Sequence, residues 1–182
     1  MHILKRIFGF RRRKKPERFP ESIVMSTASV DAETRIGAYT FVGDWATITK
    51  ATVGRYCSIA PRVMIGLGEH DTSGVSTSGF LNPKCDYAGM TAADCTIGND
   101  VWIGADSIVR RGVSVGDGAV VGANSFVNRD VPAFAVVAGS PARIVKYRFS
   151  DEKRRRILAS EYWKRPPEEA RRIIEELERT GV

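Results

Sequence analysis

Aliphatic side chains recur every six residues through most of this 182-residue chain. They fall at Val30, Ile36, Val42 and Ile48, then resume after one five-residue step at Val53, Ile59 and Ile65. After a break they continue at Ile97, Ile103, Val109, Val115, Val121, Val127 and Ala133. Glycine follows directly in eight units, from Ile36-Gly37 to Val121-Gly122. A six-residue interval matches neither the 3.6-residue turn of a helix nor the alternation of a half-buried strand. It fits a three-sided coil in which each unit is a short strand plus a turn and three units close one rung. The aliphatic residue then points inward and stacks on its equivalents. Small residues two places earlier, such as Ala51 and Cys57, pack beside it, and the glycines relieve strain at the corners. An ordinary β-sandwich is the rival, but fourteen aliphatic positions holding phase around one break leave it little room.

Charge separates the chain into parts. Residues 1–20 carry Lys5, Arg6, Arg11, Arg12, Arg13, Lys14, Lys15 and Arg18 against Glu17, which accounts for the whole net charge of +7. The remaining residues balance, and no basic face with interleaved aromatics follows, so the high pI does not indicate nucleic-acid binding. Cys57, Cys85 and Cys95 show neither CxxC spacing nor an even count, which excludes a disulfide framework or zinc site and suits a reduced cytoplasmic compartment. No apolar run approaches the roughly 18 residues of a membrane span, and no secretory h-region opens the chain. The expected organisation is a basic tail at 1–22, a coil at 23–149 interrupted at 67–96, and helices at 150–182. Ser150-Asp151-Glu152 reads as an N-cap with an acidic first turn, and Pro166-Pro167-Glu168-Glu169 as a second helix start running through Ile173, Ile174 and Leu177.

The repeated aliphatic-Gly units resemble the hexapeptide-repeat acyltransferase family. That resemblance implies an all-β fold, a left-handed parallel β-helix with one excursion loop and C-terminal α-helices, an exception to the right-handed crossover rule.

The break holds the chemistry. Residues 67–96 leave the coil and return in phase, and an excursion of that length is usually functional. It contains His70, the one histidine besides His2 in the tail. An imidazole can take a proton from a hydroxyl at neutral pH. The stretch IGLGEHDTSGVSTSGF at 65–80 is similar to the catalytic loop of the xenobiotic (chloramphenicol- and streptogramin-type) branch, although Glu69 stands where that branch carries Asn and Gly79 precedes Phe80. VWIGADSIV at 101–109, VVGANSFVNRDVP at 120–132, AGSPARIVKYRF at 138–149 and the Tyr162-Trp163 region resemble its coenzyme-facing coils, exit and C-terminal helix.

Carried over by position, the resemblance implies acetyl transfer from acetyl-CoA to a hydroxyl, with His70 as general base and no metal. Trp102, Gly104, Ala105 and Ala123 would line the pantetheine arm, with an N–H of Gly104 or Ala105 facing the oxyanion. Arg129, Arg143, Lys146 and Arg148 would meet the phosphates. Glu69, Ser76, Thr77 and Phe80 would contact the acceptor, the competing reading for Ser76 and Thr77 being hydroxyls that satisfy turns. The resemblance also implies a homotrimer with the site between coils. A sugar or surface polysaccharide is the favoured acceptor; an antibiotic or serine stays open, as does a non-enzymatic ligand-binding coil. A β-helical carbonic anhydrase is excluded because its zinc needs three histidines. Residues 1–20 mix apolar and cationic side chains, so contact with the inner membrane face competes with a solvated tail. Cys57 belongs to the core and Cys95 to a strand.

Overall fold

The computed structural model describes residues 19, 21–82 and 86–180; the basic tail, apart from Phe19 and the Glu21–Ser22 junction, and Cys85 lie outside these. Strands of two or three residues alternate with turns from Ile23–Val24 to Phe126–Val127. Every third strand stacks in parallel on the same face, giving among the described residues three sheets of seven (face A), five (face B) and four (face C) strands. The coil is left-handed.

The aliphatic phase defines the core. Val42, Ile59, Ile103, Val121 and Val137 stack on face A, Ile48, Ile65, Val109 and Val127 on face B, and Ile36, Val53, Ile97 and Val115 on face C. All of these are buried. Four places after most of the aliphatic residues a second, usually smaller, side chain also turns inward: Ala46, Cys57, Val63, Val101, Val113 and Ala119. Thr34, Thr40, Ser107 and Ser125 occupy the same position and are buried. Their hydroxyls are satisfied within the prism: Thr40 Oγ1 donates to Gly54 O at 2.9 Å and Ser107 Oγ to Gly122 O at 2.8 Å.

The glycines have a different job from the one expected. Apart from Gly66, which takes a left-handed φ of 68°, those following the aliphatic residue are needed for close approach, not for a left-handed conformation. A Cβ on Gly54 would lie 2.5 Å from Gly98 O, and one on Gly104 would lie 2.5 Å from Ala123 N. The left-handed conformation falls two residues later, and there Tyr39, Trp45, Tyr56, Arg62, Asp100, Asp106 and Asn124 adopt it. These side chains point outward, so the edges carry the coil's most variable chemistry.

Two further details depart from the six-residue reading. Ala133 does not continue the inward column: Val131 pairs with Val115 instead, donating its N–H to Ser114 O and accepting from Gly116 N, both at 2.8 Å. Pro132, with no N–H to give, then starts the turn that re-aims the chain into strand Ala135–Gly139. The excursion also ends earlier than expected, because Cys95 already pairs with Ala51 on face C.

Strand Ala135–Gly139 folds back antiparallel on Ala142–Tyr147. Ser150 Oγ then caps helix α2 (Asp151–Ser160) by accepting from Lys153 N; the shorter excursion helix α1 is Tyr87–Met90, and α3 is Pro167–Arg179. Ile157, Tyr162, Trp163 and Ala170 form a second small core around Phe134. This packs the helices along the edge between faces C and A, where Tyr56 Oη donates to Arg165 O at 2.7 Å.

Gly54→Ala should destabilise the protein by about 1–3 kcal/mol through overpacking against the next rung. Gly68→Ala, with nothing within 4 Å of an added methyl, should change stability by less than about 0.5 kcal/mol. Urea unfolding of the two variants checks both.

Candidate active site

The excursion leaves the coil between faces B and C, after strand Met64–Ile65, and re-enters at Cys95–Ile97. None of its described side chains is buried, so polar contacts shape it. Asp71 organises the first half, accepting from Ser73 N at 2.8 Å, Ser73 Oγ at 2.7 Å and Asn82 Nδ2 at 3.2 Å. The Ser73 hydrogen bonds hold its carboxyl below the usual range. Asp86 caps α1 through Gly89 N at 2.8 Å.

His70 is exposed on this loop, with Nδ1 3.0 Å from the carbonyl oxygen of Thr77. A carbonyl only accepts, so Nδ1 carries the proton and the neutral ring keeps its lone pair on Nε2. An open cleft of about 570 Å³ lies beside the ring, lined also by Asp71, Thr72, Ser73, Asp86, Gly89 and Met90. A fixed tautomer facing an accessible cleft suits a base that takes a proton from an entering molecule.

The other residues singled out from sequence divide into groups. Trp102 stands on the outer side of face A, 54% exposed, and Gly104, Ala105 and Ala123 lie just beyond it on two successive rungs of the edge between faces A and B. These four share one surface. Arg143 and Lys146 are exposed on strand Ala142–Tyr147 at the end of face A. Arg129 sits exposed between faces B and C, and Arg148 turns to the edge between faces C and A, donating to Gly118 O at 2.7 Å with Asp100 3.6 Å away. The Gly104 N–H already donates to Val121 O at 2.8 Å, which leaves that of Ala105 as the candidate oxyanion donor. In the loop, Glu69 accepts from Arg110 Nε at 2.9 Å, Ser76 Oγ accepts from Ser78 N at 3.1 Å, Thr77 offers its carbonyl to His70, and Phe80 projects fully exposed. Within one chain, face B separates His70 from the Trp102–Ala123 surface.

Sequence reasoning missed two features. Arg111 donates to Leu67 O, Thr91 O, Ala93 O, Thr49 Oγ1 and Gly66 O, at the root of the excursion. Met64, Ile108 and Phe126 form an outward ladder on face B, Met64 and Ile108 more than a third exposed. The ladder did have a signal: elsewhere the residue before the inward aliphatic is often Ser or Thr, as at Thr47, Ser58, Thr96 and Ser114.

No cysteine competes with His70 among the described residues. Cys57 and Cys95 are buried in the core, and burial raises both thiols, Cys57 to about 12. A thiol so shielded is no nucleophile. Among those residues no group of side chains is arranged to hold a metal ion, and no helix is long and apolar enough to cross a membrane.

Known proteins share this architecture. The family model described as bacterial transferase hexapeptide (six repeats) matches residues 94–129. A chloramphenicol acetyltransferase of Morganella morganii is 36% identical over 129 residues, 65% of this chain and 61% of that protein, so the chain spans less than two thirds of that relative's length. A probable macrolide acetyltransferase of Lysinibacillus sphaericus is also 36% identical, over 69% of this chain and 72% of its own. A galactoside acetyltransferase solved in complex with coenzyme A superposes with a TM-score of 0.60 at 28% identity, covering 72% of this chain and 68% of that one.

Cys57, buried in the coil's core, gives the fold a signature in alkaline stability. Its folded-state pKa lies above the ordinary 9.0, so as pH rises the unfolded chain releases the proton first and stability falls between about 9 and 12. At pH 10 the wild type should have lost about 1.4 kcal/mol more of its pH 8 stability than Cys57→Ala has. Urea unfolding at the two pH values measures this.

Proposed function

Because the chain belongs to the hexapeptide-repeat acyltransferase family, we propose that it is an O-acetyltransferase moving acetyl directly from acetyl-CoA to an acceptor hydroxyl. The observation that carries this reading is His70, whose Nδ1 is committed to Thr77 O while Nε2 has no hydrogen-bond partner among the described residues and the ring lines an open cleft. His70 Nε2 takes the hydroxyl proton as the acceptor oxygen attacks the thioester carbonyl. The N–H of Ala105 stabilises the negative oxygen that forms. The resulting imidazolium returns its proton to the departing thiolate sulfur, which leaves acetylated acceptor and free coenzyme A.

The residues on the A–B edge fit the thin arm of the coenzyme. Gly104, Ala105 and Ala123 let it run against backbone, and Trp102 gives it an apolar wall. Arg143 and Lys146 offer cations for its phosphates from the end of the same face, with Arg129 and Arg148 on other edges as weaker candidates. The family resemblance supports a cytoplasmic homotrimer. The exposed ladder of Met64, Ile108 and Phe126 supports it too: covering face B with a second copy would set one chain's His70 beside another's A–B edge.

The acceptor has two readings. A sugar or surface polysaccharide fits the coenzyme A-bound galactoside enzyme that the fold matches, and the basic residues 1–20 would bring the enzyme to membrane-borne glycans. An antibiotic hydroxyl is favoured by the 36% identity to chloramphenicol and macrolide acetyltransferases. Turnover with galactosides, oligosaccharides and chloramphenicol decides between them.

His70→Ala should lower kcat by about 10²–10⁴ while thermal stabilisation by acetyl-CoA persists; full turnover in that variant removes the base assignment. Ile108→Glu, which puts a charge on face B, should shift sedimentation from trimer toward monomer and abolish turnover. A wild-type monomer with full activity refutes the shared site.

A further inference from the structure

Resting on the reading of His70 as the base, we propose that Arg110 and Arg111 are positioning residues that fix the pose in which the excursion presents the imidazole. Their place follows from register. Ile65 pairs with Val109 on face B, so Arg110 and Arg111 lie next to Gly66 and Leu67, where the excursion begins. Arg111 uses its whole planar fork. Nε donates to Leu67 O at 3.3 Å, Nη1 to Ala93 O at 3.1 Å and Thr91 O at 3.3 Å, and Nη2 to Thr49 Oγ1 at 3.1 Å and to Gly66 O. One guanidinium therefore ties the outgoing limb, the returning limb and the preceding rung together. Lys50 Nζ adds a second donor to Thr91 O at 3.1 Å. A lysine ammonium, with three donors radiating from one atom, does not reproduce a five-donor planar set.

Arg110 acts nearer the chemistry. Its Nε lies 2.9 Å from Glu69 Oε1, and Glu69 is the residue before His70. The imidazole is thus held by Arg111 at the loop root, by Arg110 through the adjoining residue, and by Thr77 O at its own Nδ1. With none of the excursion's described side chains buried, these polar ties decide where Nε2 points, and a displacement of about 1 Å can cost roughly 10²-fold in rate.

Steady-state kinetics of Arg111→Ala, Arg111→Lys, Arg110→Ala, Glu69→Ala and the exchange Glu69→Arg with Arg110→Glu provide the test. Both Arg111 variants should lose roughly 10–100-fold in kcat. Their KM for acetyl-CoA should stay within about twofold, because the coenzyme surface lies on another edge, and the pH profile should not move. Arg110→Ala and Glu69→Ala should each lose about 3–10-fold in kcat, and the exchange should recover most of that loss. The exposed Arg110–Glu69 pair can be altered without threatening the fold, so a wild-type kcat in both single variants overturns Arg110's role. A folded Arg111→Ala enzyme with wild-type kcat, beside a His70→Ala enzyme that is slow, overturns Arg111's role alone. Full turnover in His70→Ala overturns the base reading and the positioning role with it.

Discussion

Backbone hydrogen bonds between stacked strands pull successive rungs to about 4.8 Å, and everything else in this molecule answers to that spacing. At such separation a rung can be followed only by one whose corners are bare where the backbones nearly touch. That is why an added methyl on Gly54 or Gly104 would run into the next rung. The same spacing sets the aliphatic residues in register, Ile59 on Ile103 and Ile65 on Val109, as one uninterrupted apolar column per face. Hydroxyls enter this interior where a backbone group of a neighbouring rung meets them, Gly122 O accepting from Ser107 Oγ and Gly139 N donating to Ser125 Oγ.

The rigid stack separates the parts of the site by edge. Positions on one edge keep their neighbours through the coil, so Gly104 and Ala123 share a surface although they are remote in sequence. Positions on different edges stay apart. His70, projecting between faces B and C, does not meet the Trp102 surface of its own chain, and this separation gives the apolar ladder on face B its significance. In the proposed trimer, a partner chain laid there would join what one prism holds apart.

Much of this was legible in the sequence. The period alone gave the three-sided coil and the inward columns; Ser150 and Pro167 marked the starts of the two long helices. The misreadings came where local chemistry overrode the period. Pro132 removed a donor and moved the inward position from Ala133 to Val131. The glycines were read for the freedom of their own backbone, whereas the constraint comes from a rung some 18 or 44 residues away. Arg111 was invisible for the same reason: its acceptors are main-chain carbonyls, which leave no mark in a sequence pattern. Thr77 was noticed for its hydroxyl, yet its carbonyl orients the imidazole.

The excursion shows how a fold this regular can host a variable site. An insertion within a face would break the stacking of every later rung, but one at an edge is neutral if its ends meet. Here the outgoing chain stops pairing after Ile65 and the returning chain resumes at Cys95 opposite Ala51, so Ile97 lands on Val53 as if nothing intervened. What that closure requires is a cation able to hold the carbonyls left at the two limbs, and Arg111 reaches them from the rung below. The coil thereby contributes constant geometry and the anchoring charge. The loop is free to differ in length and lining, and it is there, beside His70, that the open cleft lies.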